Sequence, residues 1–199
     1  LGGGGNDKMT FDSVVSGKGT VITGDSSADG GGKDTIAFNV VFSGGNTIKG
    51  KGGADVITLA SGVVGTGAQV LGNAGGDKIT IEAASFVTTG KALIGGGAGN
   101  DSITISGAAV DSTTTIQGGG GKDIIDIDGA NAASFNAAIY GGAGADKIDI
   151  GINATGASIA YATTTDSTIA GFDIVSGGGL TGTTYTFSAA LGNTKLTTG

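Results

Sequence analysis

The chain has 199 residues, enough for one domain or one continuous array. Glycine supplies 44 of them, without a three-residue period that would suggest collagen, and there is no proline, cysteine, histidine or tryptophan. That composition excludes a disulfide framework, and a net charge of −7 is opposite in sign to the basic face that nucleic acid requires.

Taken in order, the chain repeats one unit. It reads Gly2-Gly-Gly-Gly-Asn-Asp7, Asp29-Gly-Gly-Gly-Lys-Asp34, Gly50-Lys-Gly-Gly-Ala-Asp55 and Gly72-Asn-Ala-Gly-Gly-Asp77. It continues as Gly96-Gly-Ala-Gly-Asn-Asp101, Gly118-Gly-Gly-Gly-Lys-Asp123 and Gly141-Gly-Ala-Gly-Ala-Asp146. The closing aspartates are 27, 21, 22, 24, 22 and 23 residues apart, a period that signals a solenoid. Glycines admit the positive φ that a tight curl needs. The curl can then aim carbonyls at one spot, beside the carboxylate of its aspartate. A hard cation such as Ca²⁺ takes that kind of all-oxygen site.

After each aspartate the pattern alternates with period two, as in a half-buried strand. The first inward column is expected to be Met9, Ile36, Ile57, Ile79, Ile103, Ile125 and Ile148. The second is Phe11, Phe38, Leu59, Ile81, Ile105, Ile127 and Ile150. A further strand precedes each glycine turn, with Ile48, Val70, Ile94, Ile116 and Ile139 inward, each two residues before the turn's first position. One coil of about 22 residues then has two short strands and two turns. No coil buries its own face, so neighbours must stack.

Four of the units match GGxGxDxUx, with U apolar, and the chain resembles the calcium-binding repeats-in-toxin (RTX) proteins over residues 2–150. Lys51 and Asn73 replace the second glycine in two units, and Asp29 the first in another, while the fourth position is glycine in all seven. Unlike tandem nonapeptides, this chain carries the motif once per coil. The resemblance implies an all-β, parallel two-sheet solenoid of the β-roll type, with a file of Ca²⁺ along one edge. It assigns the metal to Asp7, Asp34, Asp55, Asp77, Asp101, Asp123 and Asp146. The turn residues assigned with them are Gly3, Gly5, Asn6, Gly30, Gly32, Gly50, Gly53, Gly72, Gly75, Gly97, Gly99, Asn100, Gly119, Gly121, Gly142 and Gly144. Seven turns leave six gaps, so about six calciums are expected.

Other segments read less regularly. Gly24-Asp25-Ser26-Ser27-Ala28 looks like an insertion that lengthens the first interval. The far turn has no repeated acid but carries Val15, Val64, Phe86, Val110 and Phe135, which suggests an apolar plug on that edge. Asp126, Asp128 and Asp149 are either further ligands or solvated; 126 and 149 fall on the outward column. That column starts with threonines, but its neighbour Lys8, Thr35, Val56, Lys78, Ser102, Ile124, Lys147 is too mixed for an ice-binding array. Residues 151–199 lose the motif and read as a cap or transition region, in which Asp173 can open a degenerate eighth coil.

Catalysis has little to work with: no His, Cys or Arg, and a single glutamate, Glu82. No enzyme is expected. No apolar run reaches membrane-spanning length. The chain opens at Leu1 inside what reads as a repeat, so a piece of a longer protein is expected. The resemblance implies a secreted or cell-surface bacterial protein, exported unfolded by a type I route and folded by external calcium. Surface-layer or coat material, self-associating or packed against neighbouring surface subunits, is the leading expectation. The spacer or secretion region of an adhesin, or the RTX domain of a secreted protease or lipase, are the alternatives.

Overall fold

The computed structural model describes residues 1–26, 31–40, 42, 44–60, 66–82, 91–106, 113–128, 137–151, 158–161, 173–176 and 184–187. Sixteen strands and no helix lie among them. The first sheet takes β1 (Lys8–Phe11), β3 (Thr35–Phe38), β5 (Val56–Leu59), β7 (Lys78–Glu82), β9 (Ser102–Ser106), β11 (Ile124–Asp128), β13 (Lys147–Ile150) and β15 (Ile174–Ser176). Its partner takes β2 (Val21–Thr23), β4 (Thr47–Gly52), β6 (Gln69–Ala74), β8 (Leu93–Ala98), β10 (Thr115–Gly121), β12 (Ala138–Gly144), β14 (Ser158–Tyr161) and β16 (Thr184–Phe187).

Every paired strand is parallel to its neighbour in its own sheet. Parallel pairing needs a long return connection. Here the return is the strand of the opposite sheet with its two turns, so the chain winds as a parallel β-solenoid.

Stacking puts like residue over like. Ile36, Ile57, Ile79, Ile103, Ile125 and Ile148 stand in register along the first sheet. Phe38, Leu59, Ile81, Ile105, Ile127 and Ile150 form the second row. From the opposite sheet come Ile22, Ile48, Val70, Ile94, Ile116 and Ile139. All are buried, so the core is a slab of mostly β-branched side chains, with Leu59 and Phe38 among them, between the sheets. Burying each one fully is worth about 1.5–3 kcal/mol. A register slip of one residue would turn every row outward, and the rows therefore lock the coils in place.

At the N-terminal end Met9 and Phe11 are only partly buried against the core. Phe11 stacks on Phe38 with ring centroids 4.4 Å apart, and Phe38 meets Phe42 edge-on at 5.0 Å. On the far edge Val15 packs against the core and bridges Phe42, which is fully buried. Val64, Phe86, Val110 and Phe135 lie outside the described residues.

The ladders correct the reading of the second coil. Thr23 pairs with Lys49, and Gly24 continues that ladder by donating its amide to the Lys49 carbonyl at 2.9 Å. Gly24 thus stands over Gly50, at the turn's first position, and is no insertion. Asp34 comes ten residues after Gly24, whereas Asp55 comes five after Gly50. The extra residues fall between Ser26 and Gly32. Asp29 and Gly30, expected at the first two positions of this turn, lie outside the described residues.

Both sheets run past residue 150. β15 pairs with β13, and β14 and β16 extend the other sheet.

Candidate metal centre

The aspartate turns line one edge, and each is tied to the next in two ways. A backbone bond runs from the residue after one aspartate to the carbonyl of the preceding aspartate, as from Ser102 N to Asp77 O and from Ile124 N to Asp101 O, both 2.8 Å. A side-chain bond runs the other way. The amide of each aspartate donates to Oδ1 of the next: Asp7 to Asp34, Asp34 to Asp55, Asp55 to Asp77, Asp77 to Asp101, Asp101 to Asp123 and Asp123 to Asp146, at 2.7–2.8 Å. Asp146 donates likewise to Asp173 at 2.9 Å, which gives the column an eighth member. One oxygen of each carboxylate is therefore engaged by protein.

The other oxygen is not. Oδ2 of Asp34, Asp55, Asp77, Asp101 and Asp123 is buried and has no hydrogen-bond partner, in residues no more than 3 % exposed. Asp7, at the start of the column, differs: its Oδ2 accepts from the Gly3 amide at 2.6 Å.

The glycines explain where these oxygens sit. At the first position of a turn, a Cβ on Gly50, Gly72, Gly96 or Gly118 would overlap Oδ2 of that turn's own aspartate. On its other side it would crowd the carbonyl oxygen of the next turn's first glycine. Gly24 repeats this with Asp34 and Gly50. Carboxylate and carbonyl oxygens thus converge in the space the missing side chain leaves.

The fourth position obeys another rule. Gly53, Gly75, Gly99, Gly121 and Gly144 all have positive φ, and a Cβ on any of them would strike the backbone of the turn before. The second position has positive φ too, in Gly97, Gly119 and Gly142 and also in Lys51 (90°) and Asn73 (84°). Those two side chains occupy backbone made for glycine.

Two buried acceptors facing each other need a proton or a cation between them. Burial pushes the carboxyls up from their ordinary value of 3.8, against the lowering effect of the amide bond each accepts. Asp55 rises to about 6, and Asp77 and Asp123 to about 7, with repulsion from column neighbours adding to the shift. Asp34 and Asp101 rise for the same first reason. Among the described residues no three carboxylate, imidazole or thiol groups gather into a metal cluster. A cation here would draw one carboxylate from a turn and take its remaining ligands from backbone carbonyls. Ca²⁺ accepts that mixture.

The structure engages Asn6 and Asn100 differently from the aspartates. Their Oδ1 atoms accept from the amides of Lys33 and Lys122, both at 2.8 Å, on the exposed side of the turns. Asp126 and Asp149 lie paired in register on the outer face, and Lys147 forms an ion pair with Asp149 at 3.4 Å. Asp126 is pushed up by burial and then by Asp149 and Asp128.

Sequence reasoning passed over five residues: Gly24 at the first position, Asp25 beside it, and Gly96, Gly118 and Gly141 in the first-position role. The signal was present. Ile22 precedes Gly24 by two residues, as Ile48 precedes Gly50.

Fold and edge together define an all-β parallel solenoid with a buried acidic column on one edge. Compared with protein-family profiles, with curated proteins and with solved structures, the chain matches none. Among the described residues no helix is long and apolar enough to cross a membrane.

Proposed function

We propose that the chain is a calcium-binding structural segment of a secreted or cell-surface bacterial protein, an RTX-like β-roll that folds when it meets external calcium. The carrying observation is the column of buried, unpartnered Oδ2 atoms, each set against a backbone carbonyl. A divalent ion between turns satisfies both oxygens and neutralises the column. Without it, unit charges one coil apart, about 4.8 Å, repel by roughly 3 kcal/mol per neighbour at an effective dielectric near 20.

The ions would lie between successive turns from Asp7 to Asp146, about six in all. The chain's own residues would do two things. The aspartates supply charge, and the glycines let carbonyls approach. Ca²⁺ that binds only the wound form stabilises it by mass action. Extracellular modules bind Ca²⁺ with Kd near 10⁻⁴–10⁻³ M, so the chain would stay unwound inside a cell and wind outside it. A coat or surface-layer role, with copies or neighbouring subunits packed side by side, fits the long array of stacked parallel strands.

Circular dichroism across a calcium titration tests the core of this reading. The expected result is little β signal in excess EDTA and a cooperative rise near 10⁻⁴–10⁻³ M calcium. A full β spectrum in EDTA would overturn it. Negative-stain microscopy at millimolar calcium tests the coat role: sheets or filaments are expected, and dispersed monomers alone count against it.

A further inference from the structure

The second coil departs from the others at one residue. Asp25 follows Gly24 in the chain and so falls at the turn's second position, held elsewhere by Lys51, Asn73, Gly97 and Gly119. No other turn described carries an acid there. Asp25 is fully buried, and neither of its carboxylate oxygens has a hydrogen-bond partner. Lys51, at the same position of the next turn, makes no ion pair with it. An isolated buried carboxylate costs several kcal/mol unless a charge or donor meets it.

Its surroundings are oxygen-rich. One residue back, the space beside Gly24 holds Oδ2 of Asp34 and the Gly50 carbonyl. The Asp34 Oδ2 is itself buried and unpartnered. Asp25 is bonded directly to Gly24, so its carboxylate and that of Asp34 belong to the same turn. The carboxylates therefore share one neighbourhood.

We propose that Asp25, Asp34 and the Gly50 carbonyl form a cation site with two carboxylates, which takes up calcium before the single-carboxylate turns do. The inference rests on the reading of the aspartate edge as calcium-binding. Its physical reason is charge count, since calcium affinity rises with the number of charged ligands. The first ion would then hold Asp25 and Asp34 against Gly50 and give the following coils a wound template.

The test is calorimetric titration of the metal-free chain with calcium chloride, together with anomalous diffraction from crystals grown at substoichiometric calcium. The expected result is an early tight phase and a first anomalous peak beside Asp25. Asp25→Asn should weaken that phase by about tenfold or more and leave the later phase in place. Asp101→Asn should do the reverse. If Asp25→Asn leaves the early phase unchanged, or the first peak lies beside Asp101 or Asp123, the second-coil site is overturned while calcium binding by the edge stands. No calcium uptake by either chain overturns both.

Discussion

The isoleucine rows and the aspartate column are built by the same stacking, yet they act in opposite directions. Each is a file of like side chains, one per coil, almost wholly buried. Stacking isoleucine on isoleucine removes apolar surface from water and favours the wound chain. Stacking aspartate on aspartate removes charge from water and opposes it. One repeat geometry thus yields a part that stabilises unconditionally and a part whose sign depends on what occupies it. On the proposed reading, that contrast makes the edge the place where ions in solution would decide whether the chain winds.

The largest expected effect breaks the unconditional half. Ile103 is fully buried in the middle of its row. Ile103→Ala should cost about 2–5 kcal/mol in urea unfolding relative to the unsubstituted chain, and this difference should stay the same at every calcium concentration that winds both chains. If the difference closes as calcium rises, the two halves are not separate.

Gly99→Ala strikes the edge without touching its charge. Gly99 has φ +127° and its Cβ would meet the Gly75 backbone. A loss of about 2 kcal/mol is expected from the backbone preference alone, with more from the overlap. The same measurement reads it, and an unchanged midpoint would show that the turns are not in close contact.

The charge itself is read by pH. The carboxyls of Asp55, Asp77 and Asp123 are raised to about 6, 7 and 7, above their ordinary 3.8. The wound chain therefore binds more protons than the unwound one. In EDTA its stability should be greatest below about pH 4 and be lost as pH rises through 6 to 7. Calcium should invert the trend, since it needs the ionised carboxylate. Asp101→Asn keeps an Oδ1 acceptor for the Asp77 amide and offers a donor where Oδ2 stood. It should raise the β content seen in EDTA, where Asp101→Ala should not, because Ala also loses the Asp77 bond at 2.7 Å.

The smallest effect sharpens the account of the turn. Lys51 holds φ 90° at a position where three other turns use glycine. Lys51→Gly should relieve strain at some cost in unfolded-state entropy, for a net gain below about 1 kcal/mol. A clear loss would mean that the lysine side chain contributes an interaction of its own.

The solenoid, its two sheets and its three inward rows were legible in the residues, because they follow from local patterns. Alternation sets which side chains face inward, and a recurring interval of 21–24 residues over most of the array sets the coil. The aspartate edge was legible for the same reason. The second coil was not. Asp29-Gly-Gly-Gly-Lys-Asp34 imitates the motif as a string, and only the ladder from β2 to β4 assigns the first position to Gly24. Likewise no string shows that the carboxylate of Asp101 fills the side-chain space of Gly96, whereas the eighth coil at Asp173 was legible and its bond from the Asp146 amide agrees. Sequence alone determined the period and the inward faces, since these depend on neighbours two residues apart. Tertiary structure decided which residue stands over which, since that depends on hydrogen bonds between residues 21–27 apart. The pairing of buried oxygens on the edge belongs to that second kind of fact.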